Sequence, residues 1–194
     1  MIDSQSNKTT KKSNGWKGLI LWLLLAIILR WQILEPRWIP SGSMIPTLQI
    51  QDKILIEKIS PKLFKVFKTK IERGAIVVFR PPEQLINAGY NDNSALIKRV
   101  IGISGDEIEV SQGNLYRNGK KVDESWLNEP IAYEMESVTV PKDSLWVLGD
   151  NRNNSLDSHL WGALPKEKLI GTAVFRYWPI KKIGPIRFPH PKNN

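Results

Sequence analysis

Between Lys17 and Arg30 lie twelve residues, Gly18 to Leu29, without a polar side chain. A run this apolar must be buried in a core or given to lipid. It falls short of the ~20 residues of a full membrane span. With Lys17 and Arg30 snorkelling, and Trp16, Trp22, Trp31 and Trp38 near the interfaces, the segment from about Trp16 to Leu34 is long enough. A single transmembrane anchor over residues 16–35 is the expectation. A cleaved leader is the competing reading, because Lys8, Lys11, Lys12 and Lys17 form a basic start before the apolar stretch. The nearest small-x-small triplet, Ser41-Gly42-Ser43, is separated from that stretch by Glu35, Pro36, Arg37 and Pro40, which argues against cleavage. A helix apolar on every side would need a core that a protein of 194 residues does not have. Four Lys precede the run and only Arg30 and Arg37 lie in the twenty residues after it. The N-terminal tail, residues 1–15, should therefore be cytoplasmic and the rest of the chain should lie across the membrane.

Beyond the anchor the period of the apolar residues is two: Ile54 and Ile56, Ile76 and Val78, Ile108 and Val110. Further strands are expected at 137–140, 145–148 and 172–177. Gly113-Asn114 and Asn118-Gly119 punctuate one or two hairpins, and Asn-Gly suits a type I′ turn. No amphipathic helix alternates with these strands, so a parallel βαβ arrangement is disfavoured and the expected fold is mainly antiparallel β. A domain over 36–187, with a hairpin insert at about 106–140, is followed by a polar tail at 188–194; residues 83–93 read as a surface loop.

Lys+Arg 28 against Asp+Glu 19 gives a net charge of +9, which attracts nucleic acid, anionic lipid or acidic partners alike. The basic stretch from Lys58 to Arg73 reads as a solvated face, and beside an anchor also as a contact for anionic lipid head groups. Two aromatics within it are weak grounds for nucleic-acid binding, which is not expected. With no Cys and only His159 and His190, a thiol nucleophile and a multi-His metal site are excluded, and neither metal nor cofactor is expected.

An oxygen nucleophile needs a Ser on a tight turn, a neutral base and donors for the developing oxyanion. Ser41-Gly42-Ser43, followed by Pro46, offers the turn and two hydroxyls two residues apart. The base is open between a histidine, His159 two residues after Asp157 or His190 in the tail, and a lysine whose pKa is lowered by burial. Lys98 sits in the apolar setting Leu96-Ile97-Lys98-Arg99-Val100-Ile101, where a strand points Lys98 and Arg99 to opposite faces. On that geometry one is buried while the other is paired. The eleven residues Gly149–His159, GDNRNNSLDSH, are an Asx-rich loop able to order a site wall.

Three segments, Pro40-Ser41-Gly42-Ser43-Met44-x-Pro46-Thr47-Leu48, Ile97-Lys98-Arg99-Val100-Ile101-Gly102-x-x-Gly105-Asp106 and GDNRNNSLDSH, resemble the signature boxes of type I signal peptidases in order and spacing. The resemblance covers roughly Gly18 to Trp161. It implies the antiparallel β catalytic fold of that family outside the cytoplasm, and a Ser/Lys dyad removing signal peptides after small-x-small sequences. By motif, Ser43 is the nucleophile and Lys98 the general base; the Ser41 hydroxyl joins the Ser43 N–H in the oxyanion hole. Ser155 orients Lys98 by a hydrogen bond, Asp150 pairs with Arg99, and Asp157 and Gly149 support the loop. Ile39, Met44, Leu48, Leu96 and Ile97 line shallow apolar pockets. The implied partners are signal peptides of exported preproteins and the bilayer, in a plasma or thylakoid membrane.

Two positions depart from the bacterial pattern, Asn153 for Asp and His159 for Arg, so an Asp157–His159 pair stands where an Asp–Arg pair would. The NNSxDSH form resembles cyanobacterial and chloroplast members, and the N-terminus lacks the Ser/Arg-rich character of a transit peptide. A requirement for neutral Lys98 implies an alkaline optimum. Two other classes remain: a non-catalytic membrane-anchored β-module, and a Ser-His hydrolase using His159.

Overall fold

The structure, a computed structural model, describes residues 15–58 and 71–186. It divides into two units, Met1–Gln32 and Ile33–Asn194. The expectations for the N-terminal tail, for most of the basic stretch and for the polar C-terminal tail lie outside the described residues.

Helix α1 (Gly15–Ile33) makes up the described part of the first unit. Its large apolar side chains stand exposed, Leu19 at 69% and Trp22 at 72%. Among the described residues no helix is long and apolar enough to cross a membrane. The expected anchor stretch is thus helical, but Lys17 and Arg30 fall inside the helix and shorten its apolar part.

In the second unit the chain forms β1 (Leu34–Trp38), β2 (Lys53–Glu57), β3 (Ile76–Phe79), β4 (Leu96–Ile103), β5 (Glu107–Ser111), β6 (Asn114–Arg117), β7 (Lys120–Lys121), β8 (Met135–Thr139), β9 (Ser144–Leu148), β10 (Leu164–Pro165), β11 (Leu169–Trp178) and β12 (Gly184–Pro185). The larger sheet has the order β1-β2-β11-β3-β4-β9-β10, with β12 on β11; the smaller has the order β7-β6-β5-β8. Every pairing is antiparallel.

The large sheet is covered on both faces, and β3 records this residue by residue. Ile76 and Val78 pack with Met44, Leu48, Ile54 and Ile56, while Val77 and Phe79 pack with Leu145, Val147 and Trp161. A strand buried on both faces reads as continuous apolar sequence, as IVVF does. β2 alternates instead, with Ile54 and Ile56 inward. A third cluster, including Ile101, Trp146, Ile108 and Leu115, joins the small sheet to β4 and β9. Fully burying each such side chain contributes about 1.5–3 kcal/mol.

Asn118-Gly119 turns β6 into β7 with φ of 54° and 72°, both left-handed as a type I′ turn demands. The preceding turn centres on Gln112-Gly113, one residue earlier than expected, because Asn114 already belongs to β6. Residues 83–93 are not wholly a loop. Helix α2 (Glu83–Asn87) starts after Pro82 and is pinned by Leu85, buried at 4% exposure. Lys58 and Arg73, at the ends of the basic stretch, are ion-paired rather than free on a solvated face. Lys58 meets Glu35, and Arg73 holds Asp106 with two bonds of 2.8 and 2.7 Å.

Asp106 also accepts from the Ile103 N–H at 2.8 Å and the Asn118 amide at 3.0 Å. Burial alone would raise its pKa. Arg73, then the Ile103 and Asn118 donors, outweigh that and hold the carboxyl at about 2, against an ordinary 3.8. A depressed carboxylate stabilises the fold above its unfolded pKa and loses that contribution as pH falls through the folded one. Urea unfolding of the full chain should therefore lose about 2 kcal/mol between pH ~4 and ~2. In Asp106→Asn that acid-dependent step should be absent, from a lower starting stability.

Candidate active site

Ser43 sits in a one-turn 3-10 helix, Gly42–Met44, entered from an extended Ser41. Met44 and Leu48, both at 0% exposure, fix this segment to the core. The polar loop holds it from the other side: the Asn151 N–H donates to the Ser43 carbonyl at 3.0 Å and the Asn151 amide to the Gly42 carbonyl at 3.3 Å. In the first turn of a helix the N–H of Ser43 has no intrahelical carbonyl to bond. The Ser41 and Ser43 hydroxyl oxygens are 3.4 Å apart.

Lys98 reaches this turn from the middle of the large sheet, where it faces Val77 of β3. Its Nζ is 2.8 Å from Ser43 Oγ and donates to the Ile97 carbonyl at 3.1 Å. Lys98 is 4% exposed. Burial pushes its pKa down from 10.5 to about 8, against the charges of Asp157 and Asp150, which pull it up.

Arg99 points to the opposite face and is buried as well, at 1% exposure, so the sheet encloses both cations rather than one. Its Nε and a terminal nitrogen grip Asp150 at 2.7 and 2.6 Å; the guanidinium also donates to the Gly74 carbonyl at 2.8 Å and to Thr47 Oγ1 at 3.2 Å. This bidentate, fully bonded pair satisfies what burial would otherwise leave costly.

Asp157, at 0% exposure, caps helix α3 (Ser158–Trp161) and accepts from the Gly149 N–H at 2.8 Å. His159 Nδ1 lies 2.7 Å from Asp157 Oδ1, so the expected Asp157–His159 pair forms. The Tyr133 ring stacks on that imidazole at 4.2 Å and 11°. Ser155 does not make the expected bond to Lys98: its Oγ is buried without a hydrogen-bond partner. It lies instead against Gly149, where an added Cβ would meet Ser155 Oγ at 2.2 Å, Ser155 Cβ at 2.6 Å and the Ser43 carbonyl at 2.6 Å.

Of the expected pocket residues, Ile39, Met44, Leu48 and Ile97 share one core cluster and Leu96 packs on another. Met44 and Leu48 have no exposed surface; Ile97 keeps 8% and Leu96 is half-buried. Surface hollows of about 340 and 550 Å³ lie among residues 113–131 and at Glu35–Trp38 with Lys53 and Tyr177; Ser43 and Lys98 line neither. No cluster of three metal-ligating side chains occurs among the described residues.

Three contributors to the site went unseen in the sequence: Thr47, Glu124 and Trp126. Glu124 holds Arg152 at 2.6 Å, and the Trp126 ring lies 5.2 Å from the Arg99 guanidinium. Thr47 lies inside a motif already singled out. No local pattern marks the other two, since their partners are 28 and 27 residues away.

A sequence profile of the family described as signal peptidase, peptidase S26, matches residues 14–178. A probable signal peptidase I-2 of Synechocystis is 48% identical over 186 residues, covering 94% of this chain and 82% of that protein. A signal peptidase I of Leptolyngbya laminosa is 40% identical over 186 residues, 96% of this chain and 89% of its own length. A probable thylakoidal processing peptidase 2 of Arabidopsis thaliana is 39% identical over 193 residues, 93% of this chain and 51% of that longer protein.

Gly149→Ala should cost about 1–3 kcal/mol of stability in chemical unfolding, the usual penalty of overpacking. Ser155→Gly on top of it should recover part of the loss, because it removes two of the three atoms that the new methyl meets. A full recovery, or none, would contradict this packing.

Proposed function

As a member of the signal peptidase family S26, in its cyanobacterial and chloroplast-like branch, this chain is a peptidase of signal-peptide-bearing preproteins, and we propose that it cuts them with Ser43 as nucleophile and Lys98 as general base. One observation carries the reading: a nearly unexposed lysine amine, with its pKa lowered to about 8, lies 2.8 Å from a serine hydroxyl on a tight turn. When Lys98 is protonated its Nζ donates to Ser43 Oγ; once neutral it accepts, and the hydroxyl proton moves to it as Oγ attacks the scissile carbonyl. The oxyanion takes the Ser43 N–H and the Ser41 hydroxyl. Lys98 returns the proton to the departing amine, leaving an ester on Ser43. A water, deprotonated by the same amine, then hydrolyses that ester.

The Arg99–Asp150 pair and the Asp157–Gly149 bond hold the base and the turn in register. Ser155, with its partnerless hydroxyl, supports the wall beside Gly149. The substrate's small residues rest on the surface left by half-buried Leu96 and by Ile97, of which Ile97 lies over the floor of Ile39, Met44 and Leu48. A floor already packed leaves little depth, which supports selection of small-x-small sequences.

The bilayer belongs to the same reading. Exposed Leu19, Leu21, Trp22 and Leu23 on a 19-residue helix support α1 as a single-pass anchor. The N-terminus is then cytoplasmic and the second unit periplasmic or lumenal. Nine residues separate α1 from Ser43 in sequence. So short a tether raises the effective concentration of substrates held in the same membrane.

The test is cleavage of an Ala-x-Ala peptide by the detergent-solubilised chain, with product mass locating the cut. Cleavage after the second Ala should be lost in Ser43→Ala and Lys98→Ala and retained in His159→Ala. Loss with His159 and retention without Lys98 would make it a Ser-His hydrolase; an inert, folded wild type would leave a binding module. With a lysine base, kcat/KM should rise as pH passes about 8 and level off above it. A profile flat from pH 6 to pH 10 would remove the lysine from that role.

A further inference from the structure

The thirteen residues 122–134, between β7 and β8, form neither helix nor strand. Irregular connections of that length inside a compact domain commonly serve a site. Here they converge on the neighbours of Ser43 and Lys98. Glu124 receives Arg152 at 2.6 Å, and Arg152, at 1% exposure, passes the contact on by donating from Nε to the Gly149 carbonyl at 3.0 Å. Pro130 and Ala132 hold the next residue of the loop: the Asn153 amide donates to the Pro130 carbonyl at 3.0 Å and accepts from the Ala132 N–H at 2.7 Å. Trp126 lies over the Arg99 guanidinium at 5.2 Å. Its indole nitrogen is buried without a hydrogen-bond partner, so the face of the ring, not its N–H, is what the site uses.

We propose that residues 122–134 are a positioning strap for the Ser43–Lys98 pair, acting at two points. Glu124, through Arg152, sets the Gly149–Asn151 backbone whose Asn151 N–H holds the Ser43 carbonyl. Trp126, through Arg99, sets the stretch of β4 that carries Lys98. Neither side chain touches the reacting atoms, so both are positioning residues. The strap belongs to the connection between two strands of the small sheet, which gives that sheet a task in the chemistry of the large one.

The physical reason lies in what the strap encloses. Arg152 is a buried cation whose compensating charge is Glu124, and Arg99 is a buried cation covered by an aromatic face. Without Glu124 the Arg152 guanidinium is left as an uncompensated buried charge and is drawn toward water with its loop; without Trp126 the Arg99 guanidinium, still paired with Asp150, loses the ring face that fixes its position and with it that of β4. A displacement of about 1 Å at a nucleophile or base can cost ~100-fold in rate. Binding of the substrate's small residues on Leu96 and Ile97 does not involve the strap, so its loss falls on kcat.

The inference rests on the Ser/Lys reading, and the experiment separates the two. Steady-state cleavage of the Ala-x-Ala peptide is measured for the full chain and for Glu124→Gln, Glu124→Asp, Trp126→Leu and Trp126→Phe, each checked for folding by near-ultraviolet circular dichroism and thermal unfolding. Glu124→Asp and Trp126→Phe are conservative enough to fold where the other two do not. We expect Glu124→Gln and Trp126→Leu to lower kcat at least tenfold with KM within twofold of wild type. Trp126→Phe, which restores an aromatic face, should recover kcat to within threefold. Glu124→Asp keeps the charge but not the reach, and should stay at least fivefold low. A kcat within twofold of wild type in folded Glu124→Asp and Trp126→Leu would overturn the strap, as would a loss confined to KM or one vanishing at a temperature where the variant is fully folded. Cleavage surviving in Ser43→Ala would overturn the Ser/Lys reading itself, whatever the strap variants do.

Discussion

The proposed chemistry needs a neutral amine, and Lys98 is held at 4% exposure by the packing of the second unit around it. Desolvation drives the pKa of Lys98 down, while Asp157 and Asp150 oppose the shift. The two carboxylates are tolerated because each is tied to something else. Asp150 is gripped by Arg99, and Asp157 is divided between the Gly149 N–H and His159. Burial of Lys98 requires the two-faced packing of the large sheet, and that packing requires β3 to be apolar throughout.

The same logic separates what could be read in the sequence from what could not. Alternation in DKILIEKI and the apolar run in IVVF announce strands because burial pattern and side-chain direction are local properties. Asn118-Gly119 announces its turn for the same reason: its left-handed backbone is a property of two residues. Ser41-Gly42-Ser43, Lys98 and the polar loop were legible as motifs, and the fold brings Ser43 and Lys98 within 2.8 Å.

What escaped was set by contacts between distant segments. The insertion of β11 between β2 and β3 depends on sheet order, which no local pattern encodes. The burial of Arg99 beside a buried Lys98 is compensated by Asp150, fifty-one residues from Arg99. Ser155 was expected to bond Lys98, yet its hydroxyl lies beside Gly149 without a hydrogen-bond partner. Met44 and Leu48 share a motif with the candidate nucleophile and have no exposed surface, a burial that depends on which apolar residues lie beneath. The short helix α2 formed where Asn and Gly suggested a loop, because Leu85 had a core to enter.

The separations along the chain carry a consequence for how the molecule comes into being. Ser43 meets Lys98 across 55 residues, and the Asn151 side chain meets Gly42 across 109. Contacts of such range are slow to form, since the entropy of closing the intervening loops is lost before any bond is gained. A ribosome-bound chain that has emitted the serine turn and β4 still lacks the polar loop that braces them. The bracing of Ser43 by Asn151 and the pairing of Arg99 with Asp150 therefore wait for residues 149–151, made later than either the serine turn or β4.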